Sequence, residues 1–116
     1  NMQGMFANLM NIQEIDLSQA DFNTSNVTNF FGIFYYGLHS VSPSKLRRIY
    51  VDATKDFNLS SAKPVDYSKS INFHMFLGQF ILHGGQGSSA PDPYTADLSW
   101  LRIDRGAAQP GYFTAK

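Results

Sequence analysis

Hydrophobic positions in the first half of the chain fall into blocks that occur twice. Met2, Met5 and Phe6 match Phe30, Ile33 and Phe34 at a constant offset of 28 residues. The i, i+3, i+4 spacing inside each block predicts one face of a short helix. Ile12, Ile15 and Leu17 then match Leu46, Ile49 and Val51 at an offset of 34. Apolar residues two apart follow a strand period, so EIDL and RIYV predict short parallel strands. The same alternation sends Glu14, Asp16, Arg48 and Tyr50 to the solvent side.

A third correspondence pairs Asp21-Phe22-Asn23 with Asp56-Phe57-Asn58 at an offset of 35. Asp and Asn there predict turns closed on their own backbone, with the Phe packing inward. The offset grows between the first block and the second because HSVSPS, with Pro43 and its serines, adds a surface loop.

Beyond residue 63 the pattern weakens. Met75 and Phe76 stand where a third Met-Phe pair belongs, but no L-x-x-I-x-V segment follows. QFIL, SWLRID and GYFT predict strands joined by Gly/Pro-rich turns. A stack of repeats needs an atypical last unit to cover its open face. The expected architecture is therefore a single α/β domain: about two coils with parallel strands over residues 1–63, closed by a β-rich C-terminal cap over 64–116.

Composition narrows the function. With 116 residues, 43% of them hydrophobic, the chain can build one ordinary core. Nine basic residues balance nine acidic ones, so no field draws in nucleic acid. Cysteine is absent, which removes disulfides and thiolate chemistry. No apolar run reaches the roughly 18 to 20 residues of a membrane helix, so no membrane insertion is expected. The chain opens on Asn1 without a charged-then-apolar leader, which suggests a segment of a longer protein with neighbouring domains.

The stretch MQGMFANLMNIQEIDLSQADFNTSNVTNF resembles the BspA-type leucine-rich-repeat family of bacterial surface proteins. Met2, Met5 and Phe6 match its first block, Ile12, Ile15, Asp16, Leu17 and Ser18 its second, and Phe22, Thr24, Ser25, Asn26, Val27, Thr28 and Phe30 its third. The second unit diverges: Tyr50 and Asp52 replace Asp16 and Ser18, and the S-x-V-T signature is lost. GGQGS, LRID and PGYFT look like the segment that closes such arrays in Gram-positive members. The resemblance implies a leucine-rich-repeat-like solenoid and an extracellular protein attached to the cell wall. It implies adhesion or host interaction, with a protein or glycan as partner, and no defined ligand.

Candidate chemistry adds little catalysis. His39, His74 and His83 lack an H-E-x-x-H pattern, so no metal is expected. HGGQGSS has no lysine and runs into APDP, which suits a flexible turn better than a phosphate loop. Ser99, Asp97 and His83 lack the G-x-S-x-G elbow of a hydrolase. Neither an enzymatic activity nor a cofactor is expected. Tyr35, Tyr36, Tyr94, Trp100 and Tyr112 fall outside the repeat pattern. Trp100 is expected in the core of the cap and Tyr50 at the surface. The binding residues expected are Glu14, Asp16, Arg48 and Tyr50 on the strand face, with Tyr94 and Tyr112 the alternative for a sugar held by cap aromatics. A purely structural cap and spacer is the remaining alternative.

Overall fold

The computed structural model describes residues 2–20, 23–38, 41–64 and 74–116. Three short strands, β1 (Glu14–Asp16), β2 (Arg48–Val51) and β3 (Phe113–Ala115), form a parallel open sheet in the order β1-β2-β3. Glu14 pairs with Arg48, Ile15 with Ile49 and Asp16 with Tyr50, which is the register given by the 34-residue offset. Arg47 N–H donates to Gln13 O at 2.8 Å and Leu17 N–H to Tyr50 O at 2.8 Å, extending the pairing beyond both strand ends. Ile15, Leu17, Ile49, Val51 and Phe113 are buried beneath the sheet, while Glu14 and Asp16 are exposed and Arg48 and Tyr50 half-buried. Period-two alternation over a one-sided core produces this split.

A second ladder runs through the turns. The N–H groups of Met2, Gly4, Phe6 and Asn8 donate to the carbonyls of Asn29, Phe31, Ile33 and Tyr35 at 2.8–3.0 Å. Phe34 and Tyr36 in turn donate to Met75 and Leu77 at 3.0 and 2.8 Å. The matching side chains stack: Phe6 on Phe34 with centroids 5.4 Å apart, and Phe34 on Phe76 at 5.5 Å. Met75-Phe76 thus occupies the third position of the Met-Phe series.

The short helices expected over the two M-x-x-M-F-like blocks are not formed. Single turns replace them, closed by Met5 N–H to Met2 O, Ala7 to Gly4, Ile33 to Phe30 and Tyr35 to Gly32. Gly4 and Gly32 sit at φ +65° and +64°, a left-handed conformation that ends a helical turn and that glycine adopts without a Cβ clash. Alternate N–H groups then point sideways to the neighbouring segment instead of along a helix axis.

The third correspondence is also spatial where it is described. Asn23 Oδ1 accepts Ser25 N–H at 3.1 Å and Asn58 Oδ1 accepts Ser60 N–H at 3.0 Å, so each Asn closes its own turn. Lys63 N–H donates to Thr28 O at 2.8 Å, joining the two segments. Asp21 and Phe22 lie outside the described residues. Phe57 packs against Phe30 and Phe113, with centroids 5.9 and 4.8 Å away. The loop inserted before β2 is anchored by Ser44, which donates to Gln79 Oε1 at 2.7 Å, while Gln79 Nε2 donates to Phe34 O at 2.9 Å. Both residues are buried, so the pair satisfies polar atoms that would otherwise be costly.

The C-terminal part is richer in turns than expected. QFIL bends and is not a strand, leaving Phe80 and Ile81 exposed and Leu82 buried. In SWLRID, Leu98–Trp100 is one turn of 3-10 helix, because Asp97 Oδ1 takes Ser99 N–H at 2.9 Å and starts a helical cap. Ile103 makes a single parallel bridge to Phe113. GYFT supplies β3, so among the described residues the C-terminal part completes the existing sheet and has no second one. Trp100 is half-buried and lies 4.9 Å from Tyr112, which is 4.5 Å from Phe76. These rings close the core at that end.

Candidate functional site: the outer face of the sheet

Because β1 and β2 pair in register, Glu14 and Asp16 project beside Arg48 and Tyr50. Tyr50 Oη donates to Glu14 Oε2 at 3.2 Å across the strands. The chain after β3 adds a fifth group. Lys116 N–H donates to Val51 O at 2.9 Å, and its Nζ crosses the Tyr50 ring, 5.0 Å from the centroid, to reach Asp16 Oδ2 at 2.6 Å. Tyr50 is therefore held at its hydroxyl by Glu14 and covered by an ammonium on one ring face.

The Lys116 hydrogen bond, followed by those from the Ser18 hydroxyl and N–H, brings the Asp16 carboxyl down from 3.8 to about 2. Hydrogen bonding to Asp16 raises the Lys116 ammonium above its usual value in return. Both side chains are largely exposed, at 54% and 42%, so solvent screens the pair and it organises the face more than it stabilises the fold.

Beside this strap opens a groove of about 270 Å³ lined by Glu14, Arg47, Arg48, Tyr50 and His83. Arg48 Nη1 donates to the Arg47 and His83 carbonyls at 3.1 and 3.4 Å, which fixes the guanidinium. Among the described residues neither arginine joins an ion pair. His83 Nδ1 lies 2.9 Å from Ile81 O, so a carbonyl acceptor assigns the proton to Nδ1 and leaves Nε2 as an acceptor in the neutral ring. The groove therefore offers guanidinium donors, carboxylate and imidazole acceptors and an aromatic wall.

All four expected strand-face residues lie on this face, with Glu14, Arg48 and Tyr50 lining the groove itself. Sequence reasoning missed Arg47, His83 and Lys116 as members. Arg47 was signalled only by its place next to Arg48, and the letters around His83 raise only metal binding and a hydrolytic set, neither of which points to the sheet face. Lys116 gave no local signal, because it arrives from a strand 100 residues beyond Asp16.

The alternative pair separates. Tyr94 is 38% exposed and meets the buried His74 edge-on at 4.3 Å. Tyr112 is fully buried, and its hydroxyl accepts Ala90 N–H at 3.1 Å. Burial pushes that phenol above its ordinary value. Tyr112 is thus a packing residue and not a surface binder: it falls just before β3, where the closing aromatics turn it inward. Tyr36 is buried too, donating its hydroxyl to Ser42 O at 2.7 Å.

The remaining candidates do not converge. Asp97 and Ser99 line a different groove, with Pro64 and Leu98, from the one that holds His83. His39 lies outside the described residues. Among the described residues no three His, Asp or Glu side chains gather as metal ligands.

The glycine-rich HGGQGSS stretch has a use that its letters did not reveal. Gln86 and Ser88 N–H donate to Asp104 Oδ2 at 2.8 and 3.0 Å, and Gly106 N–H donates to Oδ1 at 2.9 Å. The loop is a backbone anion nest filled by the protein's own carboxylate. Burial would raise that carboxyl, but the bonds from Gly106, Ser88 and Gln86 outweigh it and bring it below the usual value. No family model, curated protein or solved structure matches the chain.

Proposed function

We propose that this chain is a non-catalytic recognition segment of a leucine-rich-repeat-like surface protein, presented outside the cell on a Gram-positive cell wall. Its partner is an extracellular protein or glycan, bound on the outer face of the parallel sheet. The observation that carries the reading is the in-register row of Glu14, Asp16, Arg48 and Tyr50 on one face, beside an open groove with two arginines outside any described ion pair. Repeat proteins use such regular faces for recognition, since stacked strands repeat side chains at fixed spacing.

The repeat reading draws support from two ladders. One joins β1 to β2 at an offset of 34, and the other joins the turn segments under the Phe6-Phe34-Phe76 column. Binding of the purified chain to a panel of mucins, matrix proteins and glycans tests the function, with an Arg48→Ala/Tyr50→Ala variant alongside. Saturable binding lost in that variant supports recognition on the strand face. A folded chain silent across the panel favours the structural alternative, in which the segment caps and spaces a repeat array.

A further inference from the structure

We infer that the groove beside Tyr50 takes a single carboxylate carried on a hydroxyl-rich ring, that is, an acidic sugar of the uronic or sialic type. The inference rests on the recognition reading above and names the ligand class of that same face.

Charge comes first. In a chain of zero formal charge, Arg47 and Arg48 stand side by side, and neither joins an ion pair among the described residues. Arg48 engages Nη1 with two carbonyls, so its fork is held while Nε and Nη2 make no described hydrogen bond. A planar guanidinium pre-oriented in this way suits a planar carboxylate, to which it can donate in parallel.

The neighbouring groups decide what carries the carboxylate. Among the described residues Glu14 engages only Oε2, with Tyr50, and His83 presents Nε2 as an acceptor when neutral. Two acceptors beside two cationic donors fit a body rich in hydroxyls, each able to donate and accept. They do not fit an acidic peptide, since further carboxylates would meet Glu14 and Asp16. Size agrees: a groove of about 270 Å³ lies below the range of pockets that enclose drug-sized ligands and suits a single ring. The Tyr50 ring supplies the apolar wall that sugar C–H groups pack against.

The test titrates the full chain with D-glucuronic acid, its uncharged amide and a glutamate hexapeptide, followed by NMR. Glucuronate should saturate and shift the Arg47, Arg48 and Tyr50 signals, with the amide about tenfold weaker, because one charge-assisted hydrogen bond is worth roughly that factor. Arg47→Gln should weaken glucuronate about tenfold, with the melting temperature and the backbone spectrum away from the groove unchanged. Equal binding of acid and amide, glucuronate binding indifferent to Arg47→Gln, or a preference for the hexapeptide would each overturn the inference. If mucin or matrix binding is lost in Arg48→Ala/Tyr50→Ala while glucuronate stays silent, this inference falls and the recognition face stands.

Discussion

Thr24 grips both backbone polar groups of Asn58. Its hydroxyl oxygen accepts the Asn58 N–H at 2.7 Å and donates to the Asn58 carbonyl at 3.1 Å. Thr24 is 3% exposed, so water cannot replace either bond. Thr24→Val keeps the shape but removes the hydroxyl, leaving the Asn58 N–H and carbonyl without it, and should cost about 1–3 kcal/mol in urea unfolding. Thr24→Ser keeps the hydroxyl and should cost less. A loss confined to Thr24→Ser, with Thr24→Val as stable as the parent, would show that the methyl group, not the clamp, matters.

Phe34 carries the core in the same way that Thr24 carries the edge. Its ring is fully buried between Phe6 and Phe76 and meets Phe113 edge-on at 6.2 Å. Truncation to Ala removes contacts on both sides and leaves a cavity that the short strands cannot collapse around. Phe34→Ala should lose about 3–5 kcal/mol, while Phe6→Ala, at the half-buried end of the column, should lose less. Chemical denaturation of the two variants ranks them directly.

These two sites mark what could be read in the letters. The 34-residue register of β1 and β2 was legible because Ile15-x-Leu17 recurs as Ile49-x-Val51, and such a pattern has one pairing that buries both. The Met-Phe blocks were legible as a repeat but not as turns. The buried side of the second turn carries the i, i+3, i+4 spacing of a helix at Phe30, Ile33 and Phe34, whereas Met5 of the first is exposed, and in the letters only Gly4 and Gly32 betrayed the difference. The four strand-face residues followed from alternation alone. Arg47, His83 and Lys116 did not, because a face that gathers the chain beside β2, the bend after QFIL and the residue after β3 leaves no local period. Asp104 was hidden for the same reason, since its nest comes from a loop 16 to 18 residues earlier.

Asp104 gives the chain an acid-sensitive point. Its folded-state carboxyl lies below the ordinary 3.8, so the stability it contributes is full above that value and is lost as the pH falls through the lower folded-state one. Asp52, held down by the Thr54 N–H and hydroxyl, adds in the same direction. The urea midpoint should fall below about pH 4, and Asp104→Asn should both lower it at pH 7 and flatten its acid slope. Gly84→Ala should mimic the loss at neutral pH, because a methyl group there runs into the Gly111 carbonyl oxygen and the Asp104 side chain. An Asp104→Asn variant with the acid slope of the parent would assign that slope to other carboxyls.

The Lys116 strap makes a prediction that stability measurements alone would miss. Lys116 and Asp16 are exposed, so Lys116→Ala should leave the melting temperature almost unchanged. The electrostatic consequence is larger. In the parent, Asp16 should titrate near 2, and its contribution, present above 3.8, should disappear only as the pH falls through about 2. Without the ammonium the midpoint should climb toward 3.8 but stop short of it, because the Ser18 hydroxyl and N–H still donate to the carboxylate. Carbon-detected NMR of the Asp16 carboxyl follows this directly. The Tyr50 ring signals should shift in the same variant, since the cation 5.0 Å above the centroid is gone. An unmoved Asp16 midpoint together with an unmoved Tyr50 ring would mean that in solution the lysine does not cross the sheet, and the groove would then be bordered by a bare tyrosine face.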